Sequence, residues 1–239
     1  MLKTGTVLGL GILVLGAAAV RAQAPDPRTA AGQLAVCGGA AKWRAVGYLE
    51  FEVKTKTSSG AVQGPVHYHW DRRNGYLRVQ GPNLTGAKID TAIDLGSRSG
   101  GAWEDGQQLT GKKLADAVNW ALTRFGQDVL WLTFPLDWGA AGVTVKALPD
   151  TPADGGKVYP TAEVTSATGT WTVMLDPPTG RIARTVLNRK GAAPFTAGWE
   201  DWQAVGGVYF ARLHPIGELG ESVEVSVSQA LPEPPKGAF

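Results

Sequence analysis

The sequence has one cysteine, Cys37. No intramolecular disulfide can form, so the fold must be held by its apolar core. Histidine is almost as scarce, with three in 239 residues, which leaves few sources for a catalytic triad. Gly96-Ser97-Arg98-Ser99-Gly100 is not a G-x-S-x-G elbow, and it falls in a turn instead of a strand-to-helix junction. Glu104/Asp105 and Glu200/Asp201 are neighbours on strand-like stretches. Adjacent strand residues face opposite sides, so neither pair can share one substrate. No Gly-rich phosphate cradle precedes the one long helical pattern, and no cofactor is expected. No run of like charge follows the N-terminal leader, which argues against a nucleic-acid partner.

What is present begins with that leader. Lys3 provides a charged start, and residues 5–20 are uncharged and mostly apolar. Residues 1–22 read as a secretory signal peptide, too short and wrongly flanked for a membrane span. Cleavage is expected after Ala22, because the alternative after Ala24 puts Pro25 just past the cut. The expected destination is periplasmic or secreted, with no transmembrane segment left after cleavage. The leader carries Lys3, Arg21 and no acid, so 21 basic residues remain against 21 acidic ones. Cys37 follows Leu34-Ala35-Val36, but Pro25, Asp26 and Arg28 separate it from the apolar run. It reads as a small buried thiol and not as a lipid anchor.

The rest of the chain is organised around residues 112–138. Leu114, Val118, Ala121, Leu122 and Phe125 line one face of a helix expected over about 112–126, with stops at Gly126 and Pro135. Almost everything else alternates like β-strand. Leu49, Phe51 and Val53 oppose Glu50, Glu52 and Lys54, and Val223, Val225 and Val227 alternate with Glu224 and Ser226. Asn74-Gly75 and Asp176–Gly180 signal tight hairpins. The pattern predicts roughly ten to twelve strands. The expected fold is α+β and mostly β, a single strongly curved antiparallel sheet, or half-barrel, wrapped around one central helix. Residues 23–32 are expected as a flexible lead-in, 33–229 as one β domain, and 230–239 as a disordered Pro-rich tail.

Four stretches carry a family resemblance: HYHWDRRNGYLRVQG (His67–Gly81), RFGQDVLWLTFPLDWGAAGVTV (Arg124–Val145), TWTVMLDPPTGRIAR (Thr170–Arg184) and GWEDWQAVGGVYFARL (Gly198–Leu213). In order, turns and tryptophan placement they resemble the LolA-type periplasmic lipoprotein-carrier superfamily, in particular its exported bacterial members. The resemblance covers most of residues 44–229. It implies a sheet curled around a helix, with an apolar cavity able to accept acyl chains.

Nine tryptophans are the positive signal. One reading is core filling, since a chain without disulfides needs large buried rings. The other is an apolar cleft for a lipid or amphiphilic small molecule, walled by Trp131, Phe134 and Trp138 with Phe125, Trp70 and Trp171. The expected role is that of a non-enzymatic carrier or sequestering protein. A second reading is a metal-dependent enzyme, because His67, His69 and Asp71 alternate along one strand face and include two imidazoles and a carboxylate. A third is an envelope module that docks a partner protein through a sheet edge or the aromatic stretch after the helix.

Overall fold

A computed structural model describes residues 24–83, 85–188 and 191–239. The expected signal peptide lies outside the described residues. Two short helices come first, α1 (Ala30–Val36) and α2 (Ala40–Ala45). Then come β1 (Tyr48–Lys56), β2 (Val62–Asp71), β3 (Tyr76–Pro82), β4 (Lys88–Asp94), β5 (Ser99–Glu104) and β6 (Gln107–Gln108). The long helix α3 (Gly111–Thr133) follows, with a 3-10 turn at Phe134–Leu136. The second half holds β7 (Thr144–Pro152), β8 (Val158–Ser166), β9 (Gly169–Leu175), β10 (Ile182–Asn188), β11 (Phe195–Gly198), β12 (Glu200–Val205), β13 (Val208–Ile216) and β14 (Glu221–Leu231).

The strands form one fourteen-stranded antiparallel sheet ordered β6-β5-β4-β3-β2-β1-β14-β13-β11-β10-β9-β8-β7, with β12 also on β13. The last strand returns beside the first, pairing from Tyr48↔Leu231 to Lys56↔Ser222, and so joins the two halves. Register shifts at Glu50/Phe51, Val53/Thr55, Leu148/Thr151 and Ile182/Arg184 mark bulges. Such extra residues bend a strand and raise its twist, which gives the sheet its strong curve. The sheet does not close. One edge is the two-residue β6, and the other, β7, carries Lys146, Pro149 and Pro152, which blunt further pairing.

The alternation expected for β1 holds, with Leu49, Phe51 and Val53 buried inward. The hairpin at Asn74-Gly75 also forms. Asp71 accepts hydrogen bonds from the backbone N–H groups of Arg73 and Asn74, both at 3.0 Å, and Gly75 takes φ 75°. The short N-terminal helical stretch is two helices, split where Gly38 takes φ +112°. A Cβ there would stand 2.3 Å from the Gly207 carbonyl oxygen, so only glycine fits. Cys37 is buried beside it, and burial pushes its thiol up to about 12. The lead-in is placed against α1, where Thr29 accepts from the Gly32 N–H as N-cap. The C-terminal tail crosses the outer face of the sheet. There Phe239 lies 6.3 Å from both Tyr48 and Tyr76.

The helix α3 lies inside the curve against β4, β5 and β13. It outlasts the expected stop at Gly126 by two turns. Gly126 is on the solvent side, and Ala117, Val118, Ala121, Asp128 and Leu132 continue one buried face past it. Burial of that face outweighs a glycine penalty of about 1 kcal/mol. Thr110 has the extended backbone of an N-cap, but its hydroxyl makes no cap hydrogen bond. The end comes at Pro135, inside the 3-10 turn.

A Cβ on Gly126 would meet nothing within 4 Å. Gly126→Ala is therefore expected to stabilise the protein by about 0.5–1 kcal/mol, through a smaller loss of backbone entropy. Urea denaturation measures this. A lower midpoint for the variant would count against a continuous helix here.

Candidate functional site at the mouth of the sheet

The inner face of α3 is built from Ala117, Trp120, Ala121 and Arg124, spaced by three, one and three residues. Trp120 is half-buried and touches two apolar clusters, the main core and a smaller one of Ile89, Ala102 and Ala117. On one side of its ring is a cavity of about 310 Å³. Ile89, Leu109, Ala117 and Trp120 make its apolar wall, and Glu104, Lys113 and Asp116 its charged rim. Trp120 also lines a cavity of about 370 Å³, together with Val62, Gln63, Val66 and Pro82. Arg124 is the charged residue among its lining groups. Asn83 borders both cavities.

Deeper in, the helix is tied to the sheet by a polar network. The Tyr68 hydroxyl donates to Asp128 Oδ2 at 2.5 Å, and Arg124 Nε donates to the same oxygen at 2.7 Å. Arg124 Nη2 reaches Thr55 Oγ1 at 3.4 Å. Tyr68 is fully buried and Asp128 nearly so. Burial raises the Asp128 pKa, against the hydrogen bonds from Tyr68 and Arg124 that favour the carboxylate. Burial and the adjacent carboxylate also raise the Tyr68 pKa. Such a network stabilises the fold only while every member is paired.

The expected cleft residues lie elsewhere. Phe134, Trp138 and Trp171 are packed in the second core cluster, at 7%, 1% and 3% exposure. The Phe134 ring stands 5.1 Å from Trp171 and 5.8 Å from Trp199. Trp131 is half-buried beside Phe195, Trp199 and His214. Phe125 and Trp70 meet edge to face at 5.1 Å against the main core. None of these six lines either cavity at the mouth. The residues that do, Trp120 and Arg124, are not singled out by composition or motif. The one signal for them is a tryptophan and an arginine on the inward side of an amphipathic helix, with Asp128 one turn beyond the arginine.

The His67, His69 and Asp71 row is on the outer face. His67 is exposed, and His69 Nδ1 lies 2.8 Å from the Tyr48 hydroxyl. Burial lowers the His69 pKa. The Asp71 carboxylate is taken up by the turn, its second oxygen accepting from Asn74 Nδ2 at 2.7 Å. Among the described residues, no three His, Cys, Asp or Glu side chains are placed to hold a metal.

No family model matches the chain, and no curated protein matches it. The chain is similar to several solved structures, at low identity and TM-scores below 0.5. The LolA superfamily protein NE2245 from Nitrosomonas europaea is 12% identical, with 88% of this chain and 97% of that one covered and a TM-score of 0.49. A DUF1329 family protein from Desulfovibrio piger is 10% identical over 85% and 92% of the two chains, with a TM-score of 0.43. A putative outer membrane lipoprotein-sorting protein domain from Vibrio parahaemolyticus is 8% identical over 76% and 83%, with a TM-score of 0.38. No site residue is carried across from them.

The filled end of the groove holds a second polar group. His214 is fully buried between Trp131, at 4.9 Å, and Trp199, at 4.5 Å. Neither ring nitrogen has a hydrogen-bond partner among the described residues. The backbones of Gly198 and Ala211 are near enough to favour the charged ring slightly, but burial dominates and lowers the pKa to about 4. Between about 4 and 6.5 the unfolded chain then binds a proton that the folded protein refuses. Stability is expected to fall by about 3 kcal/mol as pH drops through this window. Denaturation of wild type and His214→Leu at both ends of the window tests it. Parallel pH profiles would rule out a buried neutral imidazole.

Proposed function

We propose that this chain is an exported, non-enzymatic binding protein for a lipid or similar amphiphile, acting as a carrier or sequestering module in the periplasm or outside the cell. One observation carries the reading: Trp120 of the helix lines two cavities, one mostly apolar and one of mixed lining. Each is at the small end of the range for ligand sites, about 300–1,000 Å³. Together they suit one slender chain lying across the indole. Binding would be driven by removal of that chain from water, with the polar end left at the edge of the site. A turn of the indole, or a small outward movement of α3, would join the two spaces. The leader supports the export part of the reading.

The test is native mass spectrometry of protein purified from the periplasm without detergent, followed by solvent extraction. A lipophilic adduct near one per chain is expected in wild type and is expected to be lost in Trp120→Asp, which puts a carboxylate where the chain would lie. An adduct that survives this substitution would move the site away from the mouth. A bare mass at every expression level would argue against a resident ligand.

A further inference from the structure

Given an amphiphile site at Trp120, the reading on which this inference rests, the difference in charge between the two cavities bears on which amphiphile fits. The rim on the Ile89 side carries the carboxylates of Glu104 and Asp116 beside Lys113. The cavity on the Val62 side has Arg124 as its charged lining residue. Asp128 takes the Arg124 Nε donor at 2.7 Å, and Thr55 is 3.4 Å from Nη2. An arginine has five N–H donors in a planar fork. Most of this fork has no acceptor among the described residues, in a space lined also by Val62, Gln63, Val66, Pro82, Asn83 and Trp120.

Asn83 provides a second, independent donor. Its Oδ1 accepts from the Thr85 N–H at 2.9 Å, the Thr85 hydroxyl at 2.7 Å and the Ala87 N–H at 3.0 Å. Three donors on one atom identify it as the oxygen and hold the amide in place. What Asn83 has left for the cavity is its NH2 group. A guanidinium and an amide NH2 on one small cavity are both donors, and neither can satisfy a ligand donor. They match an acceptor group, and the Gln63 amide in the same lining can donate to it as well.

We propose that the ligand is an anionic amphiphile, its carboxylate or phosphate held by Arg124 and Asn83 in the Val62-side cavity and its chain running past Trp120 into the Ile89-side cavity. On the Ile89 side the lysines are matched by carboxylates, Lys112 with Asp116 and Lys113 beside Glu104, so the anionic head is drawn to the Arg124 side. Asp128 and Tyr68 act as positioning residues, because they fix the guanidinium and do not touch the ligand.

Three probes of equal chain length test the inference on the delipidated full chain: dodecanoate, dodecyl phosphate and dodecanol, followed by tryptophan fluorescence and calorimetry. Wild type is expected to bind at least one of the two anions about tenfold or more tighter than dodecanol, the yield of charge-assisted hydrogen bonds. Preference for dodecanoate or for dodecyl phosphate separates the two head chemistries. Asn83→Asp keeps the turn acceptor and replaces the NH2 donor by a carboxylate oxygen, so it should bring that ratio close to one. Arg124→Gln/Asp128→Asn removes both charges of the buried pair together, which avoids stranding either, and should do the same. Equal affinity for anion and alcohol in wild type would overturn the anionic head and leave the apolar site standing. A preference unchanged in both variants would also overturn it. Binding of none of the three would overturn this inference and the Trp120 site together.

Discussion

A long sheet that curves but does not close has an apolar inner face that water would wet, and one helix must cover it. In this protein α3 does so, and the tie between Tyr68, Asp128 and Arg124 sets where it sits. Apolar packing alone is weakly directional, so a helix on a greasy surface could slide or rotate. A buried hydrogen bond between a helix carboxylate and a sheet phenol opposes that. Rotation of the helix would break the Tyr68–Asp128 bond and strand a buried polar group, at a cost of about 1–3 kcal/mol. The register so imposed places Trp120 at the open side and Leu132 at the filled one.

The two ends of the groove then differ in kind. Beyond Leu132 the space is closed by Phe134, Trp138, Trp171 and Trp199, and His214, without a hydrogen-bond partner among the described residues, is sealed in with them. At the other end α3 presents Ala117 and Trp120, with Lys113, Asp116 and Arg124, to two cavities. Close packing is the ordinary state of a protein interior. Gaps such as the two beside Trp120 are the exception, and they are the ground for the proposed site. The pairing of β1 with β14 gives both ends one frame, and the tail ring of Phe239 covers Tyr48 from outside.

Much of this is legible along the chain. Alternation in β1 and β14, the hairpin at Asn74-Gly75 and the amphipathic start of α3 are local patterns, and local patterns carry period and turn chemistry directly. The helix end is not, because Gly126 reads locally as a stop, whereas Leu132 and Asp128, packed against distant strands, extend the element. The row of His67, His69 and Asp71 does share one strand face, as its spacing predicts. What the row does not disclose is that Asp71 serves its own turn and that His69 meets Tyr48 across the strand pair.

The site shows the same division. Sequence by itself determined the architecture: which residues point inward, that turns break the chain into many strands, and that one long helix must serve a whole sheet, although fourteen strands form where ten to twelve are expected. Only the tertiary structure decided which aromatic rings fill space and which border it. Trp131 and Trp120 are equivalent as residues on one amphipathic helix. Trp131 meets Phe195, Trp199 and His214, whereas Trp120 is left with open space on two sides. The direction of a side chain follows from the backbone period at its own position. An unfilled volume is the mismatch between two surfaces far apart in the chain, and no local period encodes it.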